Sequence, residues 1–328
     1  MHVLIIGAAG MVGRKLTAGL VKAGQVGGKE IAKLTLADVI KPEPAPHHGA
    51  VETIATDLSA PGAAQALISS RPDLIFHLAA IVSGEAEADF EKGYRINLDG
   101  TRLLLEAIRR EGVSRPYVPK LVFTSSIAVF GAPFPDAIGD EFFCTPLTCY
   151  GTQKAIAELL LNDYSRRGFV YGIAIRLPTI VIRPGKPNLA ASGFFSSILR
   201  EPLSGQEAIL PVSRDVRHWF ASPRAAVGFL LHAAALDTQA LGSRRTLSAP
   251  GLSATVGEEI EALRRVAGDR AVRLIREQPD EQIIRMVAGW ARNFDTRRSI
   301  SLGFRAEKSF DEIIRLHIDD ELGGHIAV

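Results

Sequence analysis

Tyr150 and Lys154 stand four positions apart in the segment TCYGTQKAIAELLL, whose apolar spacing predicts a helix. Residues four apart lie on the same face of a helix, one turn from each other. An ammonium group at Lys154 would lower the pKa of the Tyr150 phenol, so that tyrosinate could act as a base near neutral pH. The alternative is a half-buried tyrosine beside a solvated lysine. The surrounding elements must decide between these interpretations.

A glycine-rich loop follows a short apolar run at residues 3–6. The run is typical of a strand buried on both faces, and the segment after the loop predicts a helix that ends at Gly24. Gly7, Gly10 and Gly13 would permit a tight turn and the close approach of a pyrophosphate to the helix N-terminus. The spacing G-x-x-G-x-x-G in this context predicts a dinucleotide site.

Two aspartates follow later strand candidates. At the end of the second candidate, the Asp38 carboxylate would bond the adenosine ribose hydroxyls and repel a 2′-phosphate, which favours NAD over NADP. The alternative is an ordinary turn residue, and Lys41 nearby would weaken the repulsion. Asp57 either reaches the adenine or caps the next helix.

Further strand candidates lie at residues 74–80, within residues 120–131 and after residue 171, and helix candidates lie at residues 99–112 and 222–236. Strands that alternate with helices of this length predict an α/β fold. We expect a Rossmann-type, doubly wound parallel sheet with right-handed crossovers.

The alternation changes after residue 181. A loop rich in Pro, Gly and small residues follows, and from residue 247 the chain becomes helical and more charged. We therefore predict an NAD-binding domain formed by residues 1–182 and 217–246. Residues 183–216 and 247–328 would form a smaller, partly interleaved C-terminal substrate domain.

The composition is that of an ordinary globular protein. Apolar residues make up 47% and charged residues 23% of the 328 residues, and the net charge is +2. No basic stripe indicates nucleic acid, and no apolar run approaches the roughly 20 residues that span a bilayer. We expect no nucleic-acid partner, no membrane contact and a cytoplasmic location, since no signal peptide is present. Cys144 and Cys149 have no partners at metal-ligand spacing, so we expect no metal and two free thiols, with a disulfide as the alternative.

In their order along the chain these motifs resemble the extended short-chain dehydrogenases/reductases, the NAD-dependent epimerase/dehydratase proteins. Besides the glycine loop and the aspartates, the resemblance rests on HLAA, NLDGT, TSSIAVFG and the Tyr150–Lys154 pair, and it extends to FDTRRSISLGF near the C-terminus. It implies the cofactor NAD, a small-molecule substrate and a homodimer. The homodimer would be built from the helix candidate at residues 99–112 and the Tyr150 helix.

The resemblance implies roles for individual residues. Tyr150 would be the general base, Lys154 would also hold the nicotinamide ribose, and Ser126 would bond the reacting oxygen, with Ser125 adjacent. The residues implied to bind the cofactor are Gly7, Gly10, Met11, Val12, Gly13, Asp38, Asp57, Leu58, Leu78, Ala79, Ala80, Asn97, Tyr150, Lys154 and Pro178.

A small acid substrate needs a cation for its carboxylate, and Arg183 and Arg217 are the candidates. Neutral contacts would come from Ser125, Ser126, Ser192 and His218. Each arginine could instead form a surface or interdomain ion pair.

Within the family, GAAGMVGRKL, SSIAVFG and PVSRDVRHWFASPRAAVGFLLHAA resemble the D-erythronate dehydrogenases, which oxidise C2 of a four-carbon sugar acid. Phe130 stands where sugar-nucleotide epimerases usually carry tyrosine. The resemblance implies NAD-dependent oxidation of a sugar acid, D-erythronate foremost. The alternatives are an NDP-sugar 4-epimerase with bound NAD and a non-catalytic NAD-binding sensor. The complete set of Ser126, Tyr150 and Lys154 argues against a sensor.

Overall fold

The computed structural model describes residues 1–185 and 192–327. A parallel sheet of seven strands lies at its centre. These strands are β1 (His2–Ile6), β4 (Lys33–Asp38), β5 (Ala50–Ala55), β6 (Leu74–His77), β7 (Lys120–Ser126), β8 (Tyr171–Leu177) and β12 (Thr246–Ser248). The order across the sheet is β12-β8-β7-β6-β1-β4-β5, and every neighbouring pair is parallel. This is the doubly wound sheet that the sequence predicts.

Helices cover both faces of this sheet because its central strands are apolar on both sides. Successive residues of a strand point to opposite faces, so Val3 joins one core and Leu4 joins the other. Helices α1 (Met11–Ala23) and α8 (Pro223–Ala235) pack on the first face. The second face is covered by α2 (Ala63–Ile68), α5 (Gly100–Ser114) and α6 (Cys149–Arg166).

Local signals fix where several of these helices begin and end. Gly24 ends α1 with a φ of 65°, a left-handed conformation that favours glycine. The Ser222 hydroxyl accepts a hydrogen bond from the Ala225 N–H, and Pro223 occupies the first turn of α8. Both boundaries agree with the sequence prediction.

A second apolar core lies beside the large sheet. Its elements are β9 (Thr179–Ile180), α7 (Gly193–Leu203), β10 (Ala208–Leu210), β11 (Arg217–Ala221), β13 (Leu252–Thr255), α9 (Val256–Val272), β14 (Ile275–Glu277), α10 (Glu281–Ala288) and α12 (Phe310–Glu321). Helix α11 (Arg297–Ser301) lies instead beside β12, where the Ser299 hydroxyl donates to the Ser248 carbonyl. Strands β9, β11 and β13 form a three-stranded sheet, and β10 pairs with β14. Phe195, Phe220, Ile260 and Phe310 are among the buried residues of this core.

The chain after residue 247 differs from the expectation of a helical segment. It completes β12 of the large sheet and forms β13 before the first helix, α9, begins. Strands of three or four residues are too short to produce a recognisable period in the sequence. The predicted loop at residues 182–193 falls in part on residues 186–191, which lie outside the described residues.

Shorter elements connect these layers. They are the hairpin strands β2 (Gln25–Val26) and β3 (Lys29–Glu30), helices α3 (Ser83–Ala88) and α4 (Phe90–Gly93), a π-helix at Tyr94–Asp99 that leads into α5, and 3₁₀ turns at Ile127–Val129 and Thr238–Leu241.

Candidate active site

A cavity of about 700 Å³ opens at the carboxyl ends of the central strands. Gly7 follows β1, Leu78 follows β6, Ser126 ends β7 and Leu177 ends β8, and all four line it. In the sheet, β1 has β4 as its neighbour on one side and β6 on the other. The strand order therefore reverses at β1. Ligands of doubly wound folds bind in the crevice at such a switch point.

The glycine loop forms one wall of this cavity. Gly7 has a φ of +94°, and a Cβ there would lie 2.6 Å from the Ala79 nitrogen. A Cβ on Gly13 would lie 2.2 Å from the Gly7 oxygen, so the turn is closed by backbone packing. Gly10, Met11 and Val12 also line the cavity at the start of α1. This cradle fits a dinucleotide pyrophosphate, which would bind to the free N–H groups of the helix.

The two aspartates support this wall from outside the cavity lining. Asp38 accepts hydrogen bonds from the N–H groups of Ala9 (2.9 Å) and Val39 (2.7 Å), and so fixes the glycine loop to the end of β4. Asp57 accepts bonds from Ser59 and pairs with Arg95 at 2.9 Å. Leu58, which the resemblance implied to bind the cofactor, is 6% exposed, packs in the apolar core of the second sheet face and does not line the cavity. Contacts of these residues with NAD stay a prediction.

The segment after β6 passes beside the glycine loop. Leu78 and Ala80 line the cavity, and the Ala79 backbone packs against Gly7. Asn97 holds the segment in place, since its side chain accepts from the Ile81 N–H (2.9 Å) and donates to Gln153 (2.8 Å). Asn97, implied to bind the cofactor, thus bonds backbone beside the site and connects the segment to α6, and it does not line the cavity.

Tyr150 and Lys154 lie in the first turns of α6 and line the cavity. The Thr148 hydroxyl accepts a hydrogen bond from the Gly151 N–H (3.0 Å) and so begins the helix just before the tyrosine. The Lys154 ammonium donates to the Thr124 carbonyl oxygen at 2.8 Å and lies 5.7 Å from the centre of the Tyr150 ring. The predicted one-turn pair is therefore present and is directed at the end of β7.

The acid–base balance of this pair departs from the expectation. Burial raises the pKa of Tyr150 to about 12, and the Ser126 hydroxyl only partly opposes the shift. Burial also lowers the pKa of Lys154 to about 7, while Glu158 acts in the opposite direction. Desolvation disfavours the charged form of each group and outweighs their neighbours. The prediction that Lys154 lowers the pKa of the Tyr150 phenol is therefore wrong when only the groups of the protein act on it.

Ser125 and Ser126 are adjacent but have different partners. The Ser126 oxygen accepts from the Ala128 N–H at 3.1 Å and lies at the cavity wall. Ser125 donates its hydroxyl to the buried carboxylate of Glu158, which also pairs with Arg176 at 2.7 Å. The Ser125 proton is therefore used within the protein, and the Ser126 oxygen stays at the cavity wall.

The two candidate arginines have different positions. Arg183 lines the cavity and donates to the Ser192 hydroxyl at 3.1 Å, while burial and Arg200 lower its pKa to about 10. Arg217 lies outside the cavity, where it pairs with Glu258 at 3.2 Å and donates to a backbone carbonyl. Side chains alternate along β11, so His218 faces the cavity and Arg217 does not. Arg217, which was predicted to contact the substrate, therefore does not line this cavity.

Residues after α9 complete the cavity, and the sequence reasoning did not identify them. Pro178 and Thr179, which follow β8, also line the cavity. Pro178 was predicted to bind the cofactor, and that contact stays a prediction. The remaining wall comes from the end of α10 and the turn after it, namely Arg285, Met286, Gly289, Trp290 and Ala291. Their only sequence signal is the apolar face of α10, which does not indicate what that helix covers.

Within residues 1–185 and 192–327, no group of three or more His, Cys, Asp or Glu residues could hold a metal ion. Cys144 and Cys149 are both free, as predicted. No helix in the described ranges is both long and apolar enough to cross a membrane.

Residues 3–239 match the NAD dependent epimerase/dehydratase family. The chain belongs to this family. Its fold and its glycine cradle fit the NAD-dependent chemistry that the family name states. The resemblance noted in the sequence is thus confirmed.

Three similar proteins cover almost the whole chain. D-erythronate dehydrogenase from Cupriavidus necator is 45% identical over 98% of both chains. D-erythronate dehydrogenase from Haemophilus influenzae is 42% identical over 98% of this chain and all of its own. A crystal structure described as a nucleoside-diphosphate-sugar epimerase from Agrobacterium tumefaciens is 68% identical and has a TM-score of 0.97. The match covers 99% of this chain and 95% of that chain.

More distant structures share the architecture. L-threonine 3-dehydrogenase from Trypanosoma brucei has a TM-score of 0.84 at 22% identity, with 99% of both chains covered. At this identity the likeness supports the fold alone.

Proposed function

We propose that the protein is an NAD-dependent dehydrogenase that oxidises D-erythronate at C2 to the 2-oxo acid. The observation that carries this proposal is the convergence of Ser126, Tyr150, Lys154 and Arg183 on one cavity beside the glycine cradle. The names of the two curated relatives support the choice of substrate.

Oxidation of a secondary alcohol requires removal of the hydroxyl proton and of a hydride from the same carbon. Tyr150 takes the proton from the C2 hydroxyl, and Ser126 bonds that oxygen and fixes its distance from Tyr150. Lys154, held by the Thr124 carbonyl, is placed to bond the cofactor ribose. Bound NAD supplies the hydride acceptor and a positive charge that favours the tyrosinate.

Arg183 is our candidate for the substrate carboxylate. It lines the cavity, and no carboxylate within residues 1–185 and 192–327 forms a salt bridge with it. A hydrogen bond between charged partners is worth about 1.5–3 kcal/mol, and a buried guanidinium gains more from an anion than an exposed one does. The carboxylate would thus fix the acid with C2 toward Tyr150.

The second candidate function is NDP-sugar 4-epimerisation, which the name of the 68% identical structure favours. A sugar nucleotide brings a diphosphate that needs a cation. Arg217, one of the two candidate arginines, pairs with Glu258 outside the cavity lining and does not supply one. This arrangement supports the dehydrogenase over the epimerase.

Absorbance at 340 nm tests the choice. With added NAD, the dehydrogenase accumulates NADH from D-erythronate, whereas an epimerase interconverts UDP-hexoses without net NADH. Arg183→Gln should lower kcat/KM for D-erythronate by roughly 10–100-fold, because a charged hydrogen bond is lost. Arg217→Gln is the matched control and should change it little. Absence of NADH together with UDP-hexose interconversion would replace the proposal with the epimerase.

We also propose a division of labour between the two cores. The sheet-centred part, residues 1–182 and 217–246 apart from strands β9 and β11, would bind NAD, and residues 183–216 and 247–328 would close over the substrate together with those two strands. In support, the glycine cradle lies on the first core, and Arg183 and Trp290 lie beside the second. NAD titration of Arg183→Gln should then give an unchanged Kd.

A homodimer through α5 and α6 is a further proposal. Leu159 of α6 is 70% exposed and Val113 of α5 is 76% exposed, so each of the two helices presents a large apolar side chain that a second copy could cover. Leu159→Glu should shift the protein from dimer to monomer in light scattering. A monomeric unaltered protein would reject this arrangement.

The two free thiols favour a reducing compartment, so we propose a cytoplasmic location, to be checked by cell fractionation.

A further inference from the structure

Thr179 and His218 form a neutral polar pair in the wall of the cavity. Strands β9 and β11 run parallel, with Thr179 opposite Phe220, and this pairing brings the Thr179 hydroxyl within 2.6 Å of the His218 Nε2 atom. Both residues line the cavity. Neither belongs to the set of Ser126, Tyr150 and Lys154 that performs the proton transfer.

The histidine is held in a fixed orientation and without charge. Its ring lies parallel to the Phe195 ring at 5.2 Å and is 5.3 Å from the Trp290 ring. His218 is 4% exposed, and burial lowers its pKa to about 3 although the Ala291 backbone opposes the shift. The imidazole is therefore neutral at physiological pH. It fixes the Thr179 hydroxyl rather than binding an anion.

A neutral hydroxyl in this setting suits a neutral partner. Arg183 and Arg285 are cations of the lining, and Lys154 lies with the catalytic tyrosine. An anionic group of a ligand would pair with an arginine, whereas a hydroxyl group needs a partner that both donates and accepts. The threonine hydroxyl provides this partner, and its own bond to His218, whose ring packs against Phe195 and Trp290, fixes its direction.

We propose that Thr179, positioned by His218, binds a hydroxyl group of the substrate that does not react. This inference rests on the proposed oxidation of a sugar acid and deepens it: the site would select acids that carry hydroxyl groups beyond C2. A deoxy acid would leave the remaining hydrogen-bonding position of the Thr179 hydroxyl without a protein or substrate partner, which is unfavourable. Thr179 is thus a specificity-determining residue, and His218 is a positioning residue.

Binding to the NADH complex tests this selection without turnover. Isothermal titration calorimetry would compare D-erythronate with 2-hydroxybutanoate of the same C2 configuration, which lacks the two further hydroxyl groups. The unaltered protein should bind D-erythronate roughly 10–100-fold more tightly, the range expected when a polar group of the site loses its partner. Equal affinities for the two acids, or no binding of either, would overturn the inference without any variant.

Variants then locate the selection. Thr179→Val should weaken D-erythronate binding by a similar factor and leave 2-hydroxybutanoate unchanged, while Thr179→Ser should retain the preference. His218→Phe keeps the ring stack. It should reduce the preference for D-erythronate when Thr179 is present, and it should leave that preference unchanged when combined with Thr179→Val. An equal loss for both acids in Thr179→Val, with NADH affinity unchanged, would mean a merely structural role.

The proposed function is judged separately by NADH formation from D-erythronate in the unaltered protein. Turnover without a Thr179-dependent preference would retain the dehydrogenase and reject this inference. Preferential binding without turnover would retain the inference and reject the dehydrogenase.

Discussion

Arg176 and Glu158 form an ion pair of 2.7 Å between β8 and α6, and the two side chains are only 8% and 5% exposed. The same carboxylate accepts the Ser125 hydroxyl and lies one helical turn beyond Lys154. The pair therefore ties the catalytic helix to two adjacent strands of the sheet. It also places a negative charge on the far side of the lysine from the tyrosine.

Removal of one member of this pair should be strongly destabilising. Glu158→Ala leaves the Arg176 guanidinium buried without a counter-charge, and we expect a loss of about 3–5 kcal/mol in the free energy of unfolding. The double variant Glu158→Met, Arg176→Met should lose much less, because no buried charge remains. Urea unfolding measures both. A double variant as unstable as the single one would show that packing, rather than charge, dominates at this position.

Tyr150→Phe should remove nearly all turnover and preserve NAD binding. The phenyl ring fills the same space, but the base is lost, and general-base removal typically lowers the rate by about 10²–10⁴-fold. Tyr164→Phe is the matched control, since Tyr164 is on the same helix and its hydroxyl contacts Glu106 outside the cavity lining. Retention of more than about a tenth of the rate in Tyr150→Phe would exclude this tyrosine as the base.

Gly13 and Gly10 should respond differently to alanine. The added Cβ at Gly13 would lie 2.2 Å from the Gly7 oxygen, so backbone must move, whereas at Gly10 the nearest atom is 3.4 Å away. We expect Gly13→Ala to lose about 1–3 kcal/mol of stability together with NAD affinity. Gly10→Ala should keep its stability and lose NAD affinity alone. Thermal unfolding with and without NAD separates the two effects; similar melting temperatures without NAD would refute the close packing.

Glu259 should make stability depend on pH. It is fully buried in α9, and neither carboxyl oxygen has a hydrogen-bond partner in the described part of the chain. Burial raises its pKa well above 4.5, so its folded form is protonated. An acid with a raised folded pKa contributes stability that is present below pH 4.5 and is lost as pH rises toward the folded value.

The glutamine of Glu259→Gln does not titrate. The free energy of unfolding of this variant should therefore rise relative to that of the unaltered protein as pH rises above 4.5. The difference in unfolding free energy can grow by at most about 1.4 kcal/mol per pH unit, the limit for one proton. Urea unfolding between pH 4 and pH 8 measures it, with the exposed Glu261→Gln as control. A difference that stays constant over this range would show that Glu259 is ionised when folded.

Local patterns predicted the cofactor half of the site from the sequence. The strand, the glycine loop and α1 are consecutive, so an apolar run, three glycines and a helical period sufficed. Tyr150 and Lys154 likewise needed only the spacing of one helix. Their pKa shifts could not be predicted, because burial depends on the whole fold and here outweighs the neighbouring charges.

The substrate half depends on contacts between distant segments. Thr179 meets His218 through the pairing of two short strands, and Trp290 reaches the His218 ring from a turn after α10. Arg217 was expected at the substrate, but alternation along β11 directs it to Glu258, whereas Arg183 lines the cavity as expected. Which face of a five-residue strand a given side chain occupies cannot be predicted from the sequence unless the neighbouring strands are known.

The two walls of the cavity belong to different apolar cores. Ser126, Tyr150 and Lys154 are anchored to the large sheet, and Arg183, His218 and Trp290 are anchored to the second core. On the roles proposed above, substitutions in the second core would therefore change which alcohol is presented without altering Ser126, Tyr150 and Lys154. A lineage built on this architecture can exchange substrates while it inherits its chemistry intact.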